Sequence, residues 1–232
     1  MRYARSSMVA LLASFGLLGC VDLPTEGLTP PDYQAQVRIV VADASLPADN
    51  IVLSLAPGPS FTPFADVNAG LPLAGTTYVS YPAGGKRIFV KSPQDPDTLT
   101  VTFGTETSGT LYVLPRVVPA DQRFRYVTER LLYSQTGYAD STVVRVLNAI
   151  TSGDTIDVTT TGGAFVVNNL PLGAVTAGYR FPAGETRTFY LSGNIDATVI
   201  DSIQIVGESR AMYTIVAYDS LAAGKMKSFR EQ

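Results

Sequence analysis

The chain has no histidine and no tryptophan, and only one of its 232 residues is cysteine. Without histidine there is no His/Cys zinc site, no Ser-His-Asp or Cys-His nucleophile and no histidine-ligated haem. One cysteine excludes a disulfide within the chain. Charge is sparse as well: 16% of residues are charged and the formal net charge is −3. That balance argues against nucleic acid as a partner, which would need a basic patch. No Gly-rich phosphate loop is present. Gly84-Gly85-Lys86 lacks the upstream glycine and following Ser/Thr of a Walker motif. What remains is a chain long enough for one large or two small domains, 46% hydrophobic and rich in Gly and Pro.

The apolar residues are first concentrated at the start. Arg2 and Arg5 precede an uncharged run from Met8 to Leu18. A membrane-spanning helix needs about 20 apolar residues and a signal-peptide core roughly 7–15, so this run fits the second. Leu17-Leu18-Gly19-Cys20 follows and resembles the lipobox of bacterial lipoproteins: an aliphatic residue, a tolerated one, a small one, then Cys. The resemblance implies cleavage before Cys20 and lipid on its sulfur and new amino terminus, which makes the membrane a partner. Two or more acyl chains hold stably where one binds only marginally. Loss of residues 1–19 removes Arg2 and Arg5 and no acid, so the mature chain is two charges more negative than the precursor's −3. Val21 is not the Asp that tends to mean inner-membrane retention in Gram-negative lipoproteins, so the outer membrane is the implied address. Residues 20–34, with three prolines and three acids, read as a solvated tether.

The rest of the chain echoes itself at about a hundred residues. Leu71-Pro72-Leu73 returns as Leu170-Pro171-Leu172, and Tyr81-Pro82-Ala83-Gly84 as Phe181-Pro182-Ala183-Gly184. Leu111-Tyr112 is matched to Met212-Tyr213, and Val37-Arg38-Ile39-Val40 to Val144-Arg145-Val146-Leu147. The order is kept, which implies two homologous modules, 35–133 and 142–232, joined by a linker at 134–141. Both look all-β. Leu99, Val101 and Phe103 alternate with threonines, and Ile51, Leu53 and Leu55 keep the same period of two. Turn residues recur at the spacing of a sandwich. The expected fold is two tandem antiparallel immunoglobulin-like β-sandwiches. Proline presets φ for the second position of a type I turn. The Pro-Ala-Gly motifs are therefore expected to join hairpins, Thr76–Tyr81 with Lys86–Lys91 and Val175–Phe181 with Thr186–Leu191. Basic-apolar strands Arg123–Leu132 and Lys225–Arg230 are expected to close the modules.

The second module carries a family resemblance. Val144-Arg145-Val146-Leu147-Asn148-Ala149, Ile156-Asp157-Val158, Asn169-Leu170-Pro171-Leu172-Gly173, Pro182-Ala183-Gly184 and Tyr213-Thr214-Ile215-Val216-Ala217 together are similar to the bacterial "domain of unknown function 4397" family. The first module departs from that pattern: Asp43-Ala44 follows its Arg38 strand, and no Asp separates Ile51 from Leu53. The resemblance implies extracytoplasmic, often lipid-anchored β-sandwich proteins and carries over no catalytic residue.

Candidate sites are few. Asp95 and Asp97 could offer oxygens to Ca²⁺, but a calcium loop needs more ligands than this stretch holds, so a solvated turn and no metal is the expectation. Asp154 and Asp157 flank a strand start, and Asp157 is expected to bond a neighbouring backbone N–H. Arg38 and Arg145 share one repeat position. Either could bind a ligand carboxylate, but inside apolar strands they are expected to lay their stems across a sheet and pair with an acid. Tyr78, Tyr81, Tyr179 and Phe181 could stack on sugars, yet read first as core or cross-strand partners. Tyr112 and Tyr213 read as core. Two acids about 5–9 Å apart would suit a glycoside hydrolase, but no pair is singled out. Loops 57–70 and 159–163 are the places where the modules should differ in binding. The functional expectation is a non-catalytic, cofactor-free, lipid-anchored cell-envelope protein that displays two modules to another envelope protein. Glycan binding is the alternative, and an acid-dependent hydrolase the remote one. The named site residue is Cys20, for lipid.

Overall fold

A computed structural model describes residues 33–42, 51–54, 63–67, 78–91, 97–105, 107–115, 117–118, 124–128, 139–152, 154–193 and 198–231. The signal segment, Cys20, most of the tether and most of the linker lie outside these. The described strands are β1 (Gln34–Val41), β2 (Ile51–Ser54), β3 (Pro63–Val67), β4 (Val79–Pro82), β5 (Gly84–Lys91), β6 (Asp97–Phe103), β7 (Ser108–Val113) and β8 (Phe124–Thr128). After them come β9 (Ser141–Ile150), β10 (Ile156–Thr160), β11 (Phe165–Leu170), β12 (Tyr179–Pro182), β13 (Thr186–Gly193), β14 (Val199–Val206), β15 (Ala211–Asp219) and β16 (Lys225–Glu231).

The strands form four sheets, β4-β1-β7-β8 and β3-β2-β5-β6 from the first half, β12-β9-β15-β16 and β11-β10-β13-β14 from the second. The second pair of sheets repeats the first with every strand advanced by eight positions. The all-β sandwich class is therefore as the alternation of apolar and polar residues implied. One detail differs. β1 pairs with β7 in parallel, and so does β9 with β15. These pairs lie in the middle of their sheets and are buried on both faces, the setting parallel strands favour. In β9, Val144, Val146 and Ile150 enter one core while Leu147 and Ala149 enter another.

The second correction concerns the Pro-Ala-Gly motifs, which do not close hairpins. β4 pairs with β1 and β12 with β9, whereas β5 and β13 belong to the opposite sheets. The motif is a corner between sheets. The Ala183 amide donates to Asp140 O at 2.9 Å in one sheet, while the Gly184 amide donates to Gly207 O at 2.8 Å in the other. Pro182 is the first residue of the turn, and its carbonyl accepts the Glu185 amide at 3.4 Å. Gly184 is then third, with φ +82°, the left-handed value a type II turn requires there. A flat hairpin would leave the preceding aromatics on a sheet surface. The corner instead sends Phe181 against Phe189 (6.2 Å between centroids) and Tyr81 edge-on to Phe103 (5.7 Å).

The repeat alignment also shifts. Arg38 lies opposite Thr110 and Arg145 opposite Thr214, so Leu111-Tyr112 corresponds to Ile215-Val216. The Met212-Tyr213 match expected from sequence is three residues out. The expected loop 57–70 contains β3, and Thr159–Thr160 of the other loop belongs to β10. The closing strand of the first module is β8, and that of the second is β16.

The two sandwiches pack side by side as one unit, Tyr33–Gln232. Val40, Tyr112, Leu114, Val118 and Val127 of the first meet Leu147, Ala149 and Val216 of the second in one buried cluster. A Val or Leu so buried is favoured by about 1.5–3 kcal/mol over exposure. Six of them exceed the few kcal/mol of freedom, on the order of loop-closure costs, lost by fixing a short connection. The central strands of the two sandwiches run the same way: Arg38, midway along β1, touches Arg230 and Glu231, which pair with the start of β15, while Leu114, just past β7, faces Gly173, which is bonded to Asn148 late in β9.

Candidate functional site

Two places gather polar groups from separate elements. The first is the junction. Arg38 projects from β1 toward the second module, two residues before Val40 on the same face. Its Nη2 meets Glu231 Oε2 at 2.8 Å and Thr110 Oγ1 at 3.0 Å, and its Nη1 donates to Arg230 O at 3.1 Å. The guanidinium lies between two rings, 4.8 Å from the Tyr78 centroid and 5.4 Å from that of Phe229. Glu231 sits at the end of β16 with its side chain fully buried. Besides Arg38, its Oε2 accepts the hydroxyls of Thr110 (2.6 Å) and Tyr78 (3.0 Å), and its Oε1 accepts that of Tyr112 (2.7 Å). Burial, reinforced by the neighbouring Glu231 carboxylate, pushes the Tyr112 phenol well above its ordinary value, so it stays protonated and donating.

Four donors on one carboxylate leave little capacity for a ligand. A buried, saturated ion pair of this kind ties elements together and offers no open chemistry. Arg38 thus pairs with an acid, as its place in an apolar strand implied, but the acid comes from the other module. Arg145, at the equivalent position, lines a smaller cleft of about 260 Å³ beside Arg125. Arg125 itself donates to Gly173 O across the junction at 3.1 Å.

The second place lies past the far ends of β9 and β15, opposite the end where Asp140 and the Pro182 corner meet. Here the β9–β10 turn, the start of β14 and the 3-10 turn Leu221–Ala223 border a cavity of about 590 Å³ that is broadly open to solvent. Ile200 and Leu221 supply its apolar floor, Ser152, Thr198 and Ser220 its hydroxyls, and Asp154 a carboxylate. Asn148, fully buried, holds the rim. Its Nδ2 donates to Asp154 O and Leu170 O, each at 2.9 Å, and its Oδ1 accepts the Ile150 amide at 3.0 Å. Asp219 adopts φ +76°, a conformation uncommon outside glycine. It is pinned by its own Oδ1, which accepts the Ser220 amide at 2.8 Å, and by its carbonyl, which accepts the Thr151 amide at 2.7 Å.

No family model and no curated protein matches the chain. Among solved structures it is similar to a family 26 carbohydrate-binding module from Eubacterium rectale, crystallised with maltoheptaose. The identity is 12%, over 84% of this chain and 95% of that one, with a TM-score of 0.26. It is also similar to family 41 carbohydrate-binding modules from streptococcal virulence factors, at 8% identity, 83% and 96% coverage and TM-score 0.26. A third is a candidate cell adhesion protein from Bacteroides uniformis, at 11% identity, 85% and 98% coverage and TM-score 0.25.

The remaining sequence candidates are placed as follows. Asp157 accepts the Asn169 amide at 2.6 Å, a backbone bond of the kind expected. Asp95 lies outside the described residues, and Asp97 opens β6. Tyr81 and Phe181 are buried, Tyr179 is half-buried against Phe189, and Tyr78 is engaged by Glu231. Tyr112 is buried, though at the junction and not in a sandwich core. Tyr213 is only half-buried and donates to Glu208 Oε1 at 2.6 Å, a correction to its reading as core. Among the described residues no three His, Cys, Asp or Glu side chains are grouped to hold a metal. Sequence reasoning missed Glu231 and the cavity. Glu231 had one signal, being the single acid in the basic-apolar strand Lys225–Glu231. The cavity had none, because its lining comes from turns far apart in the chain.

Proposed function

We propose that this chain is a non-catalytic, lipid-anchored cell-envelope protein that presents a rigid pair of β-sandwiches to another envelope protein. The observation that carries the reading is the junction. Arg38, Glu231, Thr110, Tyr78 and Tyr112 saturate one another, and an apolar cluster surrounds them. A chain that commits its best-placed charges to fixing the relation of two modules gains a defined composite surface, not a reaction centre. The lipobox-like Leu17–Cys20 supplies the anchor and Val21 favours the outer membrane. The resemblance of Val144–Ala217 to the domain of unknown function 4397 family fits the same setting. A hydrolase needs two facing carboxylates, and among its described lining residues the larger cavity carries one, Asp154. Glycan binding would have to use a surface other than Tyr78, Tyr81, Tyr179 and Phe181, which are committed to the junction and cores.

The test is in the native host. Radiolabelled palmitate should enter the protein, be absent from the Cys20→Ala variant, and its processing should stop with globomycin. Photo-crosslinking on intact envelopes should then give one discrete protein adduct. No label, or adducts with abundant neighbours only, would overturn the reading.

A further inference from the structure

The junction leaves the cavity beyond β9 and β15 without a part to play. We propose that this cavity binds a polypeptide segment of the partner, seating an aliphatic side chain next to a lysine or arginine. The inference rests on the display reading above and names the surface and the chemistry it displays.

Volume comes first. About 590 Å³ lies within the roughly 300–1,000 Å³ range of small-ligand pockets, room for one or two side chains. The surface is mostly carbon. Leu221 rests over Gly193, where a Cβ would stand 3.2 Å from its Cδ2, so the missing side chain lets Leu221 lie back as floor. No aromatic ring is among the described lining residues. A pyranose carries a polar group on nearly every carbon. Ser152, Thr198, Ser220 and Asp154 could meet some of these, but those lying over Ile200 and Leu221 would lose water without a partner, at about 1–3 kcal/mol each. An aliphatic side chain loses no hydrogen bond and gains about 1.5–3 kcal/mol.

The charge decides the neighbour. Asp154 is exposed and is the lone carboxylate among the described lining residues. A cation beside the buried side chain would complement it, and the chain's net negative charge draws the same sign from further away. The rim is preorganised by Asn148 and by the pinned Asp219, so little ordering is left to be done on binding. The location also suits display. The tether side of the chain meets the first module at Tyr33, whose carbonyl accepts the Ala83 amide at 2.8 Å, at the end where strands begin. The cavity lies past the opposite end of β15, whose nine residues alone span about 30 Å at ~3.3 Å per residue.

The test uses methyl-labelled mature protein in detergent micelles. The probes are the peptide acetyl-Gly-Leu-Lys-Gly-amide, its Leu→Ser and Lys→Glu forms, maltotriose and chitotriose. The Leu-Lys peptide should shift the Ile200 and Leu221 methyls with a dissociation constant of about 1 mM, the scale of one buried side chain and one ion pair. Either change in the peptide, or Asp154→Asn in the protein, should weaken binding at least about fivefold. Ala222→Trp, which places bulk on the lining, should abolish the shifts. Unmoved methyls, equal shifts with the Leu→Ser peptide, or shifts by a sugar alone would each overturn the proposal. Its failure can be told from that of the display reading. If Ala222→Trp keeps its discrete envelope adduct, display stands and this site falls. If the peptide binds but wild type gives no adduct, the site stands and display falls.

Discussion

Val41 in the first module and Asn148 in the second occupy one place in the shared plan, opposite Val113 and Ala217 on the parallel partner strand. Both are buried. Val41 contributes only packing, whereas Asn148 makes three hydrogen bonds that hold the β9–β10 turn and the end of β11. Tyr112 and Val216 form a second such pair: the tyrosine reaches a carboxylate of the other module, the valine only fills the cluster. Ile39 and Val146, or Leu111 and Ile215, by contrast, are interchangeable aliphatics. The duplication is therefore strict where side chains fill a sandwich and loose where they serve the junction or the cavity. Buried polar side chains present in one copy only, such as Asn148 and the Tyr112 hydroxyl, mark the tasks that the two copies do not share.

The largest effect expected from breaking that division is at Glu231. In Glu231→Ala the half-buried Arg38 loses its counter-charge, and three hydroxyls lose an acceptor. Removing one partner of a buried pair costs about 3–5 kcal/mol. Chemical denaturation followed by circular dichroism should show this, and small-angle scattering should show the modules separating before either unfolds. Glu231→Gln keeps shape and one acceptor and should recover part of the loss. A cost below about 1 kcal/mol, the scale of an exposed pair, would mean that the apolar cluster alone joins the modules.

A smaller effect comes from exchanging the counterparts. Asn148→Val gives the second module the first module's residue and leaves the carbonyls of Asp154 and Leu170 and the Ile150 amide without it. Buried unsatisfied groups cost about 1–3 kcal/mol each, and with partial relaxation the sum should be about 2–4 kcal/mol. The peptide-induced shifts at Ile200 and Leu221 should weaken with it, because Asp154 loses its tether. Val41→Asn, the reverse exchange, buries an amide with no designed partner and should cost about 1–3 kcal/mol. If both exchanges proved neutral, the two copies would not differ in the way their hydrogen bonds imply.

Which of these features the chain announces depends on the range of the interaction. Period-two runs such as Thr98–Phe103 are local, and they place strands because alternation is a property of five or six neighbours. The hundred-residue echo revealed the doubled plan for the same reason, each match being a short string. The Pro-Ala-Gly motif misled because a turn sequence fixes dihedral angles but not which sheet receives the outgoing strand. That was decided by Phe181 and Tyr81, which need an opposing sheet to bury against. Arg38 was legible as half of an ion pair and Glu231 was not its evident partner, since 193 residues separate them. The cavity assembles Ser152 and Leu221 from two turns and Ile200 from the start of β14, and no local pattern foretells such a meeting.

The mildest test of the comparison is alkaline titration, which contrasts Tyr112 at the junction with Tyr213 near the surface. Tyr213 is pushed up to about 12 by burial and by Glu208, and Tyr81 to about 12 by burial; Tyr112 is held well above the ordinary tyrosine range. In the unfolded chain all three titrate near 10. A phenol whose folded value is raised contributes stability that is complete below pH 10 and is lost as pH climbs through the folded value. Stability should thus begin to fall above pH 10, Tyr81 and Tyr213 contributing up to about pH 12 and Tyr112 acting in the same direction. The absence of tryptophan leaves tyrosinate absorbance near 295 nm uncluttered, so the step can be read directly. Since the slope counts protons and not the size of a shift, Tyr112→Phe and Tyr213→Phe should flatten it equally between about pH 10 and 12. The contrast lies in the folded protein's absorbance near pH 12, which Tyr213→Phe should lower and Tyr112→Phe should leave unchanged. An equal loss of folded-state absorbance in the two variants would place both phenols in the same environment and remove the distinction between a junction residue and a surface one.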